Sequence, residues 1–383
     1  MKKKIQKAYK LRIYPNAEQS SILSQCFGNA RWLWNQCLNL EETRRQNGAG
    51  FLSQYSLNYI LTQLKREYPW LKDGESTSLI NTNAHLADAF KRYFKGQSRK
   101  PKYKSRKNKQ SITLNCVNSN IIIVDHLLHI PKIGTMPFKA GQIPSGKIKS
   151  ATITLLPSGK YTASVLCETE VEGLPKKGKS VGIDLGLKNF AILSDGTKYP
   201  LIRFDKESEK RLHYWQRIAV RRLLKAKAAI KQDDSLSLKD FRNYQKAQQM
   251  CAKIQEHITN QRMDYLNKLS SEIIRRYDVI AIEDLRIKGM MKNHHLARAV
   301  GNAGWYMFRQ MLIYKAAWYG KTVIVVNPKY TSQTCSECGC VNNRLGLSPY
   351  QWLKVREWDC SVCGTHHDRD INAAVNILNA AVA

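Results

Sequence analysis

The chain has 383 residues, 43% of them apolar, enough for two or three domains with real cores. Its 62 Lys and Arg against 30 Asp and Glu leave a formal charge of +32, more than solubility needs and self-repelling unless a polyanion neutralises it. No apolar run reaches the roughly 18 residues of a membrane span, and MKKKIQKAYKLRIYP lacks the apolar centre of a signal peptide; a cytosolic nucleic-acid-binding protein is expected rather than a membrane-bound one.

Residues 6 to 14 alternate as a strand does, with Ala8, Leu11 and Ile13 among bases, and Asn16-Ala17-Glu18-Gln19 reads as a helix start. Helical periodicity continues to about residue 95 in apolar stripes around Leu23–Trp34, Leu57–Leu64 and Leu79–Phe94, the pattern of a small bundle. Residues 91 to 110 carry ten bases and no acid, interleaved with Tyr93, Phe94 and Tyr103. They read either as a solvated, mobile loop or as a phosphate-binding segment with stacking aromatics, which would use Arg92, Lys95, Arg99, Lys102 and Lys104. Period-two runs then follow in SITLNC, NIIIVDHLLHIP, KIKSATITLLP and KYTASVLCETE, suggesting a small β-barrel whose first strand is residues 6 to 14.

After the linker VEGLPKKGKS the pattern changes. SVGIDLG and NFAILSDG read as strands, residues 206 to 275 as helix broken near Asp233-Asp234-Ser235, and YDVIAIEDL as a strand. LARAVGNAGWYMFRQMLIYKAAWYG reads as one helix and KTVIVVNP as a buried strand, together an α/β pattern. The helix after residue 206 is basic on one side, at Arg217, Arg221 and Arg222, and Lys3 and Lys4 lie on the basic N-terminal strand; both are further candidates for nucleic-acid contact.

Three acids stand out. Asp184 in VGIDLG and Glu283 in IAIED sit in otherwise apolar strands, where a carboxylate is expensive unless a cation neutralises it. Neither strand contains Lys or Arg, so a metal ion is a candidate. Carboxylates at adjacent strand ends, with a third from elsewhere, can hold two Mg²⁺ ions about 3.5 to 4 Å apart and clamp both oxygens of a phosphodiester displacement. HDRDINAA must supply the third acid. Ile371, Ala374, Val375 and Leu378 keep helical spacing, which places Asp370 at the N-cap of a final helix; Asp370 is the first choice and Asp368, in the approach, the alternative.

Five of the ten cysteines, Cys26, Cys37, Cys116, Cys167 and Cys251, are scattered and read as ordinary buried thiols. Cys335 and Cys338, with Cys360 and Cys363, form two CxxC pairs 21 residues apart, the spacing of a structural Cys₄ zinc site. Cys340 is a spare, and His366 or His367 is an alternative fourth ligand.

GIDLGLKNFAILSDG, IAIEDLRIKGMMKN, LARAVGNAGWYMFRQMLIYKAAWYG, TSQTCSECGC and HDRDINAAVNIL, in this order, with KAYKLRIYPNAEQ at the start, closely resemble the TnpB (OrfB) proteins of bacterial insertion sequences, compact relatives of type V CRISPR effectors. The resemblance implies an α/β RuvC-like nuclease domain of RNase H fold at 180–328 and 367–383, interrupted by a zinc finger at 329–366. It implies a wedge β-barrel at 1–15 and 101–172 with a helical recognition insert at 16–100. It further implies a bacterial cytosolic, RNA-guided DNA endonuclease with Asp184, Glu283 and Asp370 as its Mg²⁺-binding triad. Its guide RNA would come from the transposon end, and its target would be double-stranded DNA beside a short flanking motif. A nuclease-silent, RNA-guided DNA-binding repressor and an accessory transposase are the alternatives.

Overall fold

In the computed structural model, which describes residues 2–327, 329–352 and 354–382, the expected boundaries at positions 1, 328 and 383 lie outside the described residues. The chain divides into two compact units, Lys4–Glu170 and Val171–Ala383, the second joined by the first three residues.

In the first unit, strand β1 (Lys2–Ile13) leads to Asn16, the cap of helix α1 (Ala17–Gln46). Asn16 Oδ1 accepts from the Gln19 N–H at 2.8 Å and Gln19 Oε1 accepts from the Asn16 N–H at 3.0 Å, the reciprocal box that NAEQ announces. Helices α2 (Gln54–Glu67) and α3 (Ser76–Phe94) bury Leu57, Leu61, Leu79 and Phe90 against Leu33 and Cys37 of α1. Strands β2 (Gln110–Asn115), β3 (Ile122–Val124), β4 (Leu127–Ile130), β5 (Gly134–Lys139), β6 (Lys147–Leu155) and β7 (Tyr161–Glu172) join β1 in the order β2-β6-β7-β1-β5-β4-β3. Leu114 near one edge and Leu128 near the other share a core with Leu11 and Phe27, so the sheet curls around one apolar centre.

Local chemistry accounts for the departures from the periodic reading. NIIIVDHLLHIP is two strands, because Asp125 and His126 take left-handed φ values of 45° and 61° and turn the chain between β3 and β4. Strand β5 contains Pro137, which disguises it; Pro137 has no N–H, but its carbonyl accepts from the Tyr14 N–H at 2.9 Å. Part of the basic run is pinned to α1: Trp34 Nε1 donates to Lys102 O at 3.0 Å, and Asn35 brackets the Lys104 backbone with bonds of 2.8 and 2.9 Å.

The second unit is built on strands β8 (Ser180–Asp184), β9 (Asn189–Leu193), β10 (Lys198–Pro200), β11 (Val279–Glu283) and β12 (Thr322–Val326), ordered β10-β9-β8-β11-β12. β8, β11 and β12 are parallel, whereas β9 and β10 are antiparallel. Helices α4 (Phe204–Gln232) and α5 (Arg242–Arg276) form a long hairpin, followed beyond β11 by α6 (Ile287–Met290), α7 (His294–Ala303) and α8 (Trp305–Tyr319). What periodicity presents as one helix is broken into α7 and α8 at Gly304, whose φ of 74° is left-handed. After β12 come α9 (Pro349–Trp352), the hairpin of β13 (Glu357–Asp359) and β14 (His366–Asp368), and α10 (Arg369–Val382). β14 carries the cysteine element to residue 368, past the expected boundary at 366, because residues 366–368 pair with 357–359.

Strand alternation then assigns the faces. Val181, Ile183, Ile280 and Ile282 pack with Leu269 and Ile273 of α5 and with Phe308 and Leu312 of α8. The intervening positions face the other layer, where Ala281 packs with Val326 and with Ile377 of α10. Gly182 is the point of closest approach: a Cβ there would stand 1.9 Å from Ala374 O and 2.8 Å from the Leu378 nitrogen. Gly182→Ala should therefore push α10 off the sheet and destabilise this unit by about 2–3 kcal/mol in urea unfolding. Gly141→Ala, with nothing within 4 Å, should change stability little in the same measurement.

Candidate active site and metal centre

Ile183 pairs with Ile282 across parallel strands, so Asp184 and Glu283 end β8 and β11 side by side. They lie at the carboxyl edge of the sheet, where open α/β folds bind ligands, and on the face covered by α10. Asp184 makes no ion pair among the described residues. Its carboxyl is pushed up to about 8, by burial first and then by the charges of Glu283 and Asp370. Glu283, 6% exposed, is also raised by burial, against a hydrogen bond from Thr331 Oγ1 at 2.7 Å.

The third acid reaches this edge from the first turn of α10. Asp370 Oδ1 accepts from Arg369 Nη2 at 2.8 Å and Nε at 3.1 Å, and Oδ2 accepts from Arg356 Nη1 at 3.2 Å. The expectation that Asp370 caps the helix is corrected: α10 begins at Arg369, and Asp368 Oδ1 accepts from the Asp370 N–H at 3.0 Å and the Ile371 N–H at 3.1 Å. Asp368 also pairs with Lys198 at 2.6 Å. Burial raises its carboxyl, but Lys198 and the two backbone donors outweigh that and leave it below the usual range. The cap is therefore occupied holding the helix, and the charge of the next acid along, Asp370, reaches Asp184.

Among the described residues, only four cysteines bring donor atoms within 4.8 Å of one another as a group of three or more potential ligands. The three carboxylates are near enough to oppose ionisation of Asp184, yet Asp370 is engaged by two guanidinium groups rather than drawn into so tight a cluster.

The cysteine group is Cys335, Cys338, Cys360 and Cys363. Cys335 and Cys363 sulfurs are 3.6 Å apart, as are those of Cys338 and Cys360, against the roughly 3.8 Å that tetrahedral Zn–S bonds of about 2.3 Å require. All four cysteines are free thiols. Each pair sits in a tight turn, with the Cys335 N–H on Cys340 O and the Cys360 N–H on Thr365 O, both at 2.9 Å. Cys340 and His366 stand outside the group; His366 is exposed and pairs with Asp359. His367 is buried with Nε2 3.1 Å from Cys335 Sγ, a partner of a ligand sulfur. Trp352 and Trp358 close a small core on Cys335 and Cys360.

The basic candidates divide by what already occupies them. Lys4, Lys95, Arg99, Lys102, Arg217 and Arg221 are exposed, and Lys3, also exposed, donates from Nζ to Ala317 O at 2.9 Å. Arg92 pairs with Asp88 one turn away, and Arg222 Nη1 donates to Asn243 O of α5 at 2.6 Å, closing the helical hairpin. Lys104 Nζ lies 3.4 Å from the centroid of the Trp34 ring, and desolvation lowers its amine to about 8, so it packs rather than projects. Sequence reasoning did not single out Thr331, Arg356, Arg369, Asn372 or Asn376. The signal available for the last two was a pair of amides one turn apart in a stretch, residues 371–378, that is otherwise apolar.

Residues 164–294 match the family described as a probable transposase, OrfB of the IS605 type; 305–377 match a Cas12f1-like TNB domain, and 1–49 a helix-turn-helix domain. The last of these is here a strand followed by one long helix. A Streptomyces pristinaespiralis protein provisionally named an RNA-guided DNA endonuclease is 32% identical, the match covering 100% of this chain and 91% of the relative. The chain belongs to the TnpB (OrfB) family. A second relative, Escherichia coli InsQ, provisionally named in the same way, is 28% identical, the match covering 98% of this chain and 92% of that one. Among solved structures, the protein of a Cas12f1–sgRNA–target DNA complex is similar in fold, with a TM-score of 0.55 and 14% identity, covering 98% of this chain and 99% of that one.

The raised Asp184 carboxyl carries a sign. Its folded value of about 8 lies above the ordinary 3.8, so the native state keeps a proton that the unfolded chain has released in that window. Stability contributed by this group is therefore lost as pH rises from about 4 to 8. Thermal melts of cation-free protein should show this fall relative to Asp184→Asn, and Mg²⁺ should reverse it in the parent alone.

Proposed function

We propose that this TnpB-family protein is an RNA-guided DNA endonuclease of an insertion sequence, cutting target DNA at the edge formed by Asp184, Glu283 and Asp370. The observation that carries the reading is the placing of Asp184 and Glu283 side by side at the strand ends, with the carboxyl of Asp184 raised first by burial and then by the charges of Glu283 and Asp370. Burial and mutual repulsion of this kind are tolerated where a cation completes the site. The names of the relatives and the guide-bound, DNA-bound state of the similar Cas12f1 structure support the guide-RNA and DNA partners. The charge of +32 supports a polyanionic partner.

The sheet order, with two antiparallel strands on one side of β8 and two parallel ones on the other, supports a RuvC-like domain of RNase H fold, with the cysteine element inserted before its last helix. The curled sheet and the helices α1 to α3 take the wedge and recognition roles, and the exposed bases among the candidates take phosphates. A guide from the transposon end supplies sequence readout by base pairing, and the protein reads a short motif flanking the target. Among the described residues no helix is long and apolar enough to cross a membrane.

Asp184, Glu283 and Asp370 would hold two Mg²⁺ ions, which when bound supply Lewis-acid polarisation of the phosphodiester and a water of lowered pKa. The chain's own groups do the rest. Thr331 orients the Glu283 carboxylate, α10 presents Asp370 at its positive N-terminal end, and Arg356 and Arg369 restrain Asp370 and place positive charge beside the edge. Zn²⁺ in the four-cysteine site has an architectural role.

The reading is tested with purified protein and its co-purified RNA on DNA carrying the matching target. Asp184→Ala should reduce Mg²⁺-dependent cleavage by at least about a thousandfold while RNA and DNA binding survive, and Asp370→Asn should do likewise. Asp368→Asn should retain far more activity. Undiminished cutting by Asp184→Ala would overturn the site, and RNA-independent joining of labelled transposon ends would favour a transposase instead.

A further inference from the structure

The hydrogen bonds between the cysteine element and the carboxylate edge form one continuous path. Glu283 is buried, and the hydroxyl of Thr331 donates to its Oε1 at 2.7 Å. Thr331 lies on the segment that runs from β12 into the first cysteine pair. The carbonyl of the same residue accepts from Asn376 Nδ2 at 2.8 Å, and that amide also donates to Thr334 O at 2.6 Å. One turn earlier, Asn372, 2% exposed, donates to Thr334 O at 2.8 Å and accepts from the Ser336 N–H at 2.9 Å. Residues 331 to 336 are thus bolted to α10, whose first turn carries Asp370. Cys335 is held from its other side by His367, next to the Asp368 cap.

We infer that this segment is a splint: the closed cysteine element fixes Glu283 against Asp370, with Thr331, Asn372 and Asn376 as positioning residues for the divalent-cation site. The inference rests on the reading of the three carboxylates as that site. The buried amide of Asn372 has few alternative partners, and the half-buried Asn376 repeats its contact one turn on, so residues 331–336 have one favoured register on α10. That register is shared with Cys335, so closing four sulfurs around a zinc ion limits where Glu283 can lie. The element's contribution to the nuclease is then geometric, in addition to any contact it makes with nucleic acid. Removing partners that orient metal ligands typically weakens metal affinity 10- to 100-fold, and the same scale is expected here.

The test uses the zinc-loaded, full-length chain with Mn²⁺ as the probe, its binding followed by electron paramagnetic resonance. Zinc content and guide-RNA affinity are measured in parallel. Thr331→Val, which keeps the shape and removes the hydroxyl, should weaken Mn²⁺ binding roughly 10- to 100-fold with zinc content and RNA affinity unchanged. Thr331→Ser should restore it, and Asn376→Leu should weaken it similarly. Mn²⁺ affinity within twofold of the parent in both Thr331→Val and Asn376→Leu, while Asp184→Asn loses it, would overturn the splint and leave the carboxylate site standing. Mn²⁺ affinity unchanged in Asp184→Asn would overturn both.

Discussion

Three carboxylates brought to one edge of a sheet repel one another, and much of the second unit is arranged around that repulsion. Asp184 and Glu283 cannot retreat, because each ends a strand buried on both faces and their neighbours Ile183 and Ile282 are locked into the core beneath α5 and α8. Asp370 cannot retreat either, because α10 lies directly on the backbone of β8 at Gly182. Geometry set by apolar packing therefore holds together charges that electrostatics alone would separate. The raised proton affinity of Asp184 comes first from its burial and then from that repulsion.

The surroundings temper the conflict without removing it. Arg356 and Arg369 take the carboxylate of Asp370, and Thr331 takes one oxygen of Glu283, while Asp184 has no ion-pair partner among the described residues. A locally acidic edge inside a chain of +32 is a division of labour that follows from elementary electrostatics. On the proposed reading, the exposed bases would meet a polyanion at the surface, and the carboxylate edge would take the divalent cations that the rest of the molecule repels. Asp368 shows the opposite use of the same side chain: two helix N–H groups and Lys198 satisfy it, so its charge is spent on structure.

Much of the architecture was legible in the residues because local signals and global packing agree. The NAEQ box, the two CxxC pairs, the apolar strands of the second unit's sheet and the break near residue 233 each have a short-range cause that the structure retains. The misses are equally physical. Left-handed backbone at Asp125 and His126 splits an apolar run, Pro137 hides a strand that needs no N–H there, and Gly304 breaks a helix whose apolar spacing never falters. Periodicity reports which residues are buried; it does not report where a single φ changes sign.

For the site, the sequence by itself made Asp184 and Glu283 conspicuous, because charge is costly in apolar strands, and it offered Asp370 and Asp368 as candidates for a third acid. It also determined the four cysteines, whose spacing matches the needs of a tetrahedral ion. Which acid of HDRD turns inward was decided by tertiary structure. Asp368 is taken by the helix N–H groups and by Lys198, a residue 170 positions away, whereas Asp370 is held by Arg356 and Arg369 and its charge reaches Asp184. The links from Thr331 to Glu283 and from Asn372 and Asn376 to the cysteine segment likewise join residues 36 to 48 positions apart. Hydrogen-bond partners distant in the chain leave no periodic trace in it, so only the packing of α10 across the sheet reveals them.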